Sequence, residues 1–372
     1  VEGASERGER WRERRAGGHR LEEGRAVPLL LALAAALALL AAGAFAARHW
    51  FLDSRVGPLR PGAPDRLRIE PGENFGRAAA HLAAEGWVRW SLPVRLEARW
   101  KGWDRRVFPG YYRFRPGETV GELLGRLARG EIEETHVTIP EGWRLEQILP
   151  ALADSVWVPL ERLTALAADS VWLAQERVPG PGLEGYLFPE TYWIPRGEAA
   201  PRVLRQLLEP GVRYYDDSLR AAAAARGLDR RELWTLASMV EAEARLPEER
   251  SRIAAVFWNR LRRGMRLESD PTVLYALGRP AGRVLYRDLE VDSPYNTYRY
   301  AGLPPGPIDS PGRASLQAVV HPLEGCRDLF FVARGDGSHV FSQTLAAHNR
   351  AKARIRRERG TRERRRVPSA SP

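Results

Sequence analysis

The stretch Asp229-Arg230-Arg231-Glu232-Leu233-Trp234-Thr235-Leu236-Ala237-Ser238-Met239-Val240-Glu241-Ala242-Glu243-Ala244 decides what kind of fold this chain makes. Asp229 and Glu232 have the spacing of a capping box, so a helix starts here. On a helical wheel centred on Leu233, the residues Leu236, Ala237, Val240 and Ala244 gather within about 60° as one apolar stripe, which should face a core. Glu241 and Glu243 fall on opposite shoulders of that stripe, about 80° to either side, and Trp234 lies two turns before Glu241 on the same shoulder. A carboxyl at the edge of a buried face, near an indole, loses hydration, which favours its protonated form. A general acid is made in this way. The alternative is an ordinary boundary glutamate paired with an arginine. Periodicity leaves that choice open, and it leaves Glu241 and Glu243 equal.

Outward from this helix, a second one is predicted from Glu248 to Arg263, burying Ile253, Val256, Phe257 and Leu261, with Arg260 able to reach a cleft edge. Asp270 before Pro271 reads as a helix cap. Irregular Pro- and Gly-rich chain runs from Pro294 to Gly312, followed by a short helix from Arg313 to Val320, a hairpin near 329–342 and a final helix after Thr344. Towards the N-terminus the spacing predicts a helix from Val203 to Ala225 broken at Pro210-Gly211, an aromatic segment from Leu183 to Tyr192, and a strand at His136–Ile139. The turn Pro140-Glu141-Gly142 and a helix from Leu145 to Leu152 follow that strand. A smaller module precedes them: strand near 67–70, helix 78–86, strand 107–114, then Thr119 capping a helix from Val120 that stops at Gly130. It holds no cluster of catalytic residue types, so binding or spacing is its expected role.

Residues Val27 to Ala47 carry no charged or polar side chain. As a helix these 21 residues span about 32 Å, enough to cross a hydrocarbon core. Seven Arg precede the span and five lie between Arg48 and Arg68, a bias that puts the N-terminus in the cytoplasm. Ala44-Phe45-Ala46 resembles a cleavage site, but the length of the apolar run and of the segment before it favours a retained anchor. The net charge of +11 is concentrated: Arg350 to Arg366 hold ten basic and two acidic residues. With no zinc-finger spacing and no RNA-binding aromatic motif, the tail is expected to meet anionic lipid or wall polymer, or only water, and nucleic acid is not expected. The one cysteine, Cys326, excludes a disulfide scaffold, and the scattered histidines do not read as a metal site. No phosphate-binding Gly-rich loop is present, and no cofactor is expected.

Several motifs, in this order, carry a resemblance. They are Leu183-Glu184-Gly185-Tyr186-Leu187-Phe188-Pro189-Glu190-Thr191-Tyr192, Leu236-Ala237-Ser238-Met239-Val240-Glu241-Ala242-Glu243, and Phe257-Trp258-Asn259-Arg260-Leu261. Gly264-Met265-Arg266-Leu267, Ser269-Asp270-Pro271-Thr272-Val273, Tyr295-Asn296-Thr297-Tyr298 and Gly302-Leu303-Pro304-Pro305-Gly306-Pro307-Ile308 follow, with Phe331-Val332-Ala333 and His339-Val340-Phe341 near the end. With them the chain resembles the membrane-anchored endolytic murein transglycosylases, the MltG or YceG-like family, from the anchor to about residue 352. Ala244 stands where the family often has Thr, and the Arg-rich end lies outside the pattern.

The resemblance implies a lyase that cleaves β-1,4 bonds between N-acetylmuramic acid and N-acetylglucosamine inside nascent glycan strands. It would leave 1,6-anhydro ends and terminate strand elongation. It implies Glu241 as the catalytic acid, which resolves the tie with Glu243. Glu190, Arg260, Asp270, Tyr295, Asn296 and Tyr298 are the substrate-binding candidates, because Asn and Tyr suit sugar hydroxyls and acetamido groups. Hydrolysis with Asp270 or Glu243 activating water, and a non-enzymatic wall-binding scaffold, are the rival readings. The expected fold is α+β, with a cytoplasmic segment 1–26, a transmembrane helix 27–47, a tether 48–66 and a small LysM-like domain 67–133. A larger, mostly helical catalytic domain 134–350 and a basic tail 351–372 complete it. Expected partners are peptidoglycan strands, membrane lipid and the peptidoglycan synthases. The expected location is the bacterial inner membrane, single-pass, with the catalytic domain outside the cytoplasm.

Overall fold

Helices dominate this chain because apolar residues recur at helical spacing between short alternating runs. The computed structural model describes the backbone of residues 6–57, 64–105, 107–279 and 281–366, and the side chains of 27–57, 64–105, 107–279 and 281–358. The chain divides into two compact units, Val1–Glu133 and Glu134–Pro372.

The first unit begins with helix α1 (Glu6–Asp53), whose part from Val27 to Asp53 is long and apolar enough to cross a membrane. The stretch expected as a tether from residue 48 starts as the end of this helix, and Phe51 and Val56 are buried in the unit's core. Residues 58–63, the middle of that expected tether, lie outside the described residues. Strands β1 (Arg66–Ile69) and β2 (Gly110–Arg113) pair antiparallel, with Leu67 opposite Tyr112. Between them lie α2 (Phe75–Ala84), capped by the Asn74 side chain, and α3 (Ser91–Trp100). Helix α4 (Val120–Arg129) follows, opened by the Thr119–Glu122 capping box and closed by left-handed Gly130 at φ 70°. The order is therefore strand, helix, helix, strand, helix, one helix more than expected. The extra helix is α3, in which Leu92, Val94, Leu96, Ala98 and Trp100 alternate as a strand would. The helix buries Val94 and Ala98 and leaves Leu92, Leu96 and Trp100 outside.

The second unit opens with β3 (Glu134–Thr138), paired antiparallel with β4 (Thr191–Pro195) so that Val137 faces Tyr192. Helices α5 (Leu145–Val156), α6 (Leu160–Ala167) and α7 (Ser170–Gln175) connect the two strands. The break expected at Pro210-Gly211 is displaced: α8 (Ala200–Tyr214) runs through Pro210, and α9 (Asp217–Ala225) starts only after Asp216 accepts the Leu219 N–H at 2.8 Å. Helix α10 (Arg230–Glu243) has the predicted capping box. It is not striped, however, because every residue from Leu233 to Val240 is buried. The cause is packing on several sides, by α9, α11 (Arg250–Arg262), α12 (Asp270–Ala276) and α13 (Arg313–Val320). Ser269, one residue before the expected cap, occupies the N-cap position of α12, and Asp270 is its first residue. The hairpin β5 (Phe330–Ala333) and β6 (His339–Ser342) follows as predicted, and α14 (Leu345–Arg366) carries the basic run as helix. Val367–Pro372 lies outside the described residues. The whole is an α+β fold with one N-terminal apolar helix and a larger helical domain.

Candidate active site

Glu241 sits in the last turn of α10, where the helix leaves the core, and its side chain is only 7% exposed. Burying an ionisable group without partners is costly, and the structure supplies three. The Ser315 hydroxyl donates to Oε2 at 2.7 Å and the Gly312 N–H donates to Oε2 at 3.1 Å. Arg250 Nη2 donates to Oε1 at 3.0 Å, while its Nε donates to Ser315 Oγ at 3.2 Å. Gly312 is the N-cap of α13 and Ser315 lies in its first turn, so the positive end of that helix faces the carboxyl. The expected indole is elsewhere: Trp234 stacks with Tyr186 at 6.4 Å and meets Tyr215 edge-on at 5.7 Å. Two helical turns separate Trp234 from Glu241 by about 10 Å along the axis, which the wheel does not register. Glu241 is thus nearly buried and also paired with Arg250, so it carries a feature of each reading.

A second carboxyl joins the first. Glu141, in the turn after β3, lies 3.7 Å from Arg250 through Oε2. Loss of hydration, with the negative charge of Glu241 adding to it, pushes the Glu141 carboxyl above its ordinary range, and Arg250 opposes the rise. A Cβ on Gly312 would meet the Glu141 carboxyl, the half-exposed end of a flexible side chain that can swing aside. The turn is strapped in place by two reciprocal bonds, Gly142 N–H to Ser310 O and Ser310 N–H to Trp143 O, each 2.9 Å. The loop carrying Ser310 is also pinned to α10 by the Ile308 N–H, which donates to Ser238 Oγ at 3.0 Å. Gly185, at φ 81°, lets the aromatic segment close on Pro307, where any side chain would clash.

Asp309 is buried beside these groups, its Oδ1 without a hydrogen-bond partner. Burial, then the charges of Glu241 and Glu184, hold it well above the usual carboxylate range. Glu184 accepts the Leu145 N–H at 2.9 Å, and burial pushes its carboxyl up to about 7. It lines a groove of about 550 Å³ with Leu145, Tyr275, Tyr295 and Pro305.

Four of the residues expected from sequence fall in three places. Glu190 pairs with Arg313, the residue next to Gly312, and so borders the Glu241 cluster. Tyr295 packs against Tyr275 at 4.7 Å in the groove with Glu184. Tyr298 donates to Asp270 Oδ1 at 2.7 Å, near Glu243, on the other shoulder of α10. There Ser269 Oγ donates to Glu243 at 2.7 Å, and burial pushes the Glu243 carboxyl up to about 7. Arg260 and Asn296 are turned inward instead. Arg260 donates to the carbonyls of Leu329 at 2.6 Å and Leu267 at 2.8 Å, and Asn296 donates to those of Leu289 and Val291 at 2.9 and 2.8 Å. Both hold loops together. Ser315, Arg250, Gly312, Glu141, Asp309 and Glu184 were not among the sequence candidates, although Glu184 stands in the aromatic segment and Glu141 in a turn already marked.

The profile of the YceG-like family matches residues 67–354. An endolytic murein transglycosylase of Bacillus subtilis is 31% identical over 301 residues, covering 77% of this chain and 83% of that protein. One of Streptococcus pneumoniae is 28% identical over 351 residues, covering 84% of this chain and 62% of the longer relative. The crystal structure of a yceG-like protein from Listeria monocytogenes superimposes with a TM-score of 0.55 at 27% identity, over 77% of this chain and 98% of that one.

Proposed function

The chain belongs to the YceG-like family of endolytic murein transglycosylases, and from that premise we propose that Glu241 performs its proton transfers. It is a lytic transglycosylase that acts on the glycan strands of peptidoglycan. In the proposed reaction Glu241 protonates the glycosidic oxygen between N-acetylmuramic acid and N-acetylglucosamine. The C6 hydroxyl of the same muramoyl residue attacks C1, and the Glu241 carboxylate takes the hydroxyl proton. Intramolecular attack removes the entropic cost of recruiting a second reactant, so no second carboxylate is needed as nucleophile. Ser315 and Gly312 both donate to Oε2, whereas Oε1 meets Arg250 alone. Oε1 is therefore the oxygen assigned to the proton, and the donors stabilise the carboxylate that forms when it leaves.

Glu190, Tyr295, Asp270 and Tyr298 are proposed as sugar contacts, and Arg260 and Asn296 as supports of the loops that carry them. We further propose that the first unit is LysM-like and touches glycan, that α1 is a single-pass anchor in the inner membrane with the second unit outside the cytoplasm, and that strand termination takes place beside a peptidoglycan synthase. The observation that carries the catalytic reading is a nearly buried carboxyl held by three donors, Arg250 of α11, Ser315 of α13 and the α13 cap Gly312. Mass spectrometry of glycan digested in isotopically labelled water tests it. Anhydro ends from the wild type and none from Glu241→Gln are expected, while labelled reducing ends would mean hydrolysis.

A further inference from the structure

Helix α3 has two apolar stripes, and only one of them is used inside the protein. Val94 and Ala98 enter the core of the first unit. Leu92, Leu96 and Trp100, four residues apart, form a second stripe that is 60, 59 and 68% exposed, with Trp90 beside it at 46%. Such a face is unusual on a soluble surface. Its position relative to α1 is fixed. Arg48, one residue beyond the uncharged run, makes a two-pronged ion pair with the buried Glu97 in the middle of α3, at 2.7 and 2.8 Å. The same guanidinium lies 4.1 Å from the Trp100 ring centroid, and Trp50 approaches Trp90 at 6.4 Å.

The end of the apolar run is thus clamped to the centre of α3. With a rise of about 1.5 Å per residue, Arg48 and Trp50 stand within about 5 Å of Ala47 along the axis. A groove of about 450 Å³ runs between the two helices, and its lining includes Ala44 and Ala47 from the uncharged run together with Leu92, Leu96 and Trp100. The exposed stripe is therefore continuous with the segment long and apolar enough to cross a membrane. Cations border it: Arg89 lies over Trp90 at 5.1 Å, Lys101 over Trp100 at 5.6 Å, and Arg95 and Arg99 are exposed on the same helix. Indoles flanked by Arg and Lys beside leucines suit the headgroup level of a bilayer.

We propose that α3 lies in the interface of the bilayer that α1 crosses, with an acyl chain in the α1–α3 groove and anionic headgroups against Arg89, Arg95, Arg99 and Lys101. The first unit is then seated on the lipid surface at a fixed depth. This rests on α1 being membrane-spanning and on nothing in the catalytic assignment.

The test uses the full chain with Cys326→Ser, one per nanodisc of phosphatidylcholine and phosphatidylglycerol. It carries a nitroxide at Leu37→Cys, Leu96→Cys or Arg202→Cys, the last an exposed position of the second unit. Collision with oxygen and with an aqueous nickel chelate reports depth. The expected result places Leu37 in the hydrocarbon and Leu96 at about 5–10 Å below the surface, with several-fold less nickel contact than Arg202. Adding Trp90→Asp and Leu92→Asp, both exposed positions, should move Leu96 towards water. If Leu37 is deep while Leu96 is as accessible to nickel as Arg202, the docking is overturned and the anchor stands. If Leu37 itself is in water, the anchor and the docking fall together. Spin–spin broadening at Leu96 when two labelled chains share a disc, relieved by unlabelled chain, would show that a second copy covers the stripe and would likewise overturn the proposal.

Discussion

Replacing Ser315 by alanine removes one donor from Glu241 Oε2 and leaves the Gly312 N–H and Arg250 in place. The contact is 2.7 Å, in the range of charge-assisted hydroxyl bonds. A hydrogen bond to a charged group contributes about 1.5–3 kcal/mol. In the proposed reaction the carboxylate develops as the proton departs, so this bond strengthens towards the transition state. Expressed in full, its loss lowers kcat about 10- to 100-fold, and KM should barely move because the hydroxyl faces Glu241 and not the sugar. Ser315 is fully buried and also accepts from Arg250 Nε, so thermal stability should fall as well, by about 1 kcal/mol. The assay is the initial rate of anhydro-ended fragment release from uniform glycan strands over a range of concentrations, with a melting curve as the check on folding. A folded Ser315→Ala protein with unchanged kcat, or with the change confined to KM, would refute the role given to the hydroxyl. A loss as complete as that of Glu241→Gln would refute it too, since two of the three donors remain.

Further expectations follow from the same geometry. Gly312→Ala should cost less than about 1 kcal/mol, because the Glu141 carboxyl it meets can swing aside, and Glu141→Ser should remove what cost there is in a double-mutant cycle read by denaturant melts. Glu184 has a folded-state pKa of about 7, above its unfolded value, so the native state holds the extra proton between those values and stability falls as pH rises from about 4.5 to about 7. Glu184→Gln should flatten that part of the stability–pH curve and gain at most about 3 kcal/mol at pH 8, measured by urea titration at several pH values. Arg260→Lys should lower stability by about 1–3 kcal/mol with little change in KM, because the guanidinium holds backbone carbonyls; a selective rise in KM would return it to the substrate.

The elements legible from sequence were those whose signals are local. The Asp229–Glu232 and Thr119–Glu122 boxes, the Gly130 stop and the 329–342 hairpin each depend on residues a few positions apart. Tertiary packing hid the rest. Thr235, Ser238 and Met239 are buried because other helices cover what an isolated wheel takes for a solvated back. Leu92, Leu96 and Trp100 disguised α3, since a helix with two apolar stripes mimics strand alternation. The break near 210 was misplaced because Pro210 fits inside α8 while Asp216 supplies the cap. For the site, the wheel put Glu241 and Glu243 on opposite shoulders, and the structure gives them separate partners. The two donors from α13 were out of reach, because Ser315 stands 74 residues away and nothing in the spacing links it to α10.

That separation bears on when a wall-cutting enzyme becomes able to cut. Glu141, Glu241 and Arg250 leave the ribosome before the cap of α13 at Gly312 and the hydroxyl of Ser315 do. A nascent polypeptide halted before residue 312 holds the acid without the groups that steady its anion. Vectorial synthesis therefore withholds part of the proposed acid's hydrogen-bond set until α13 has been made.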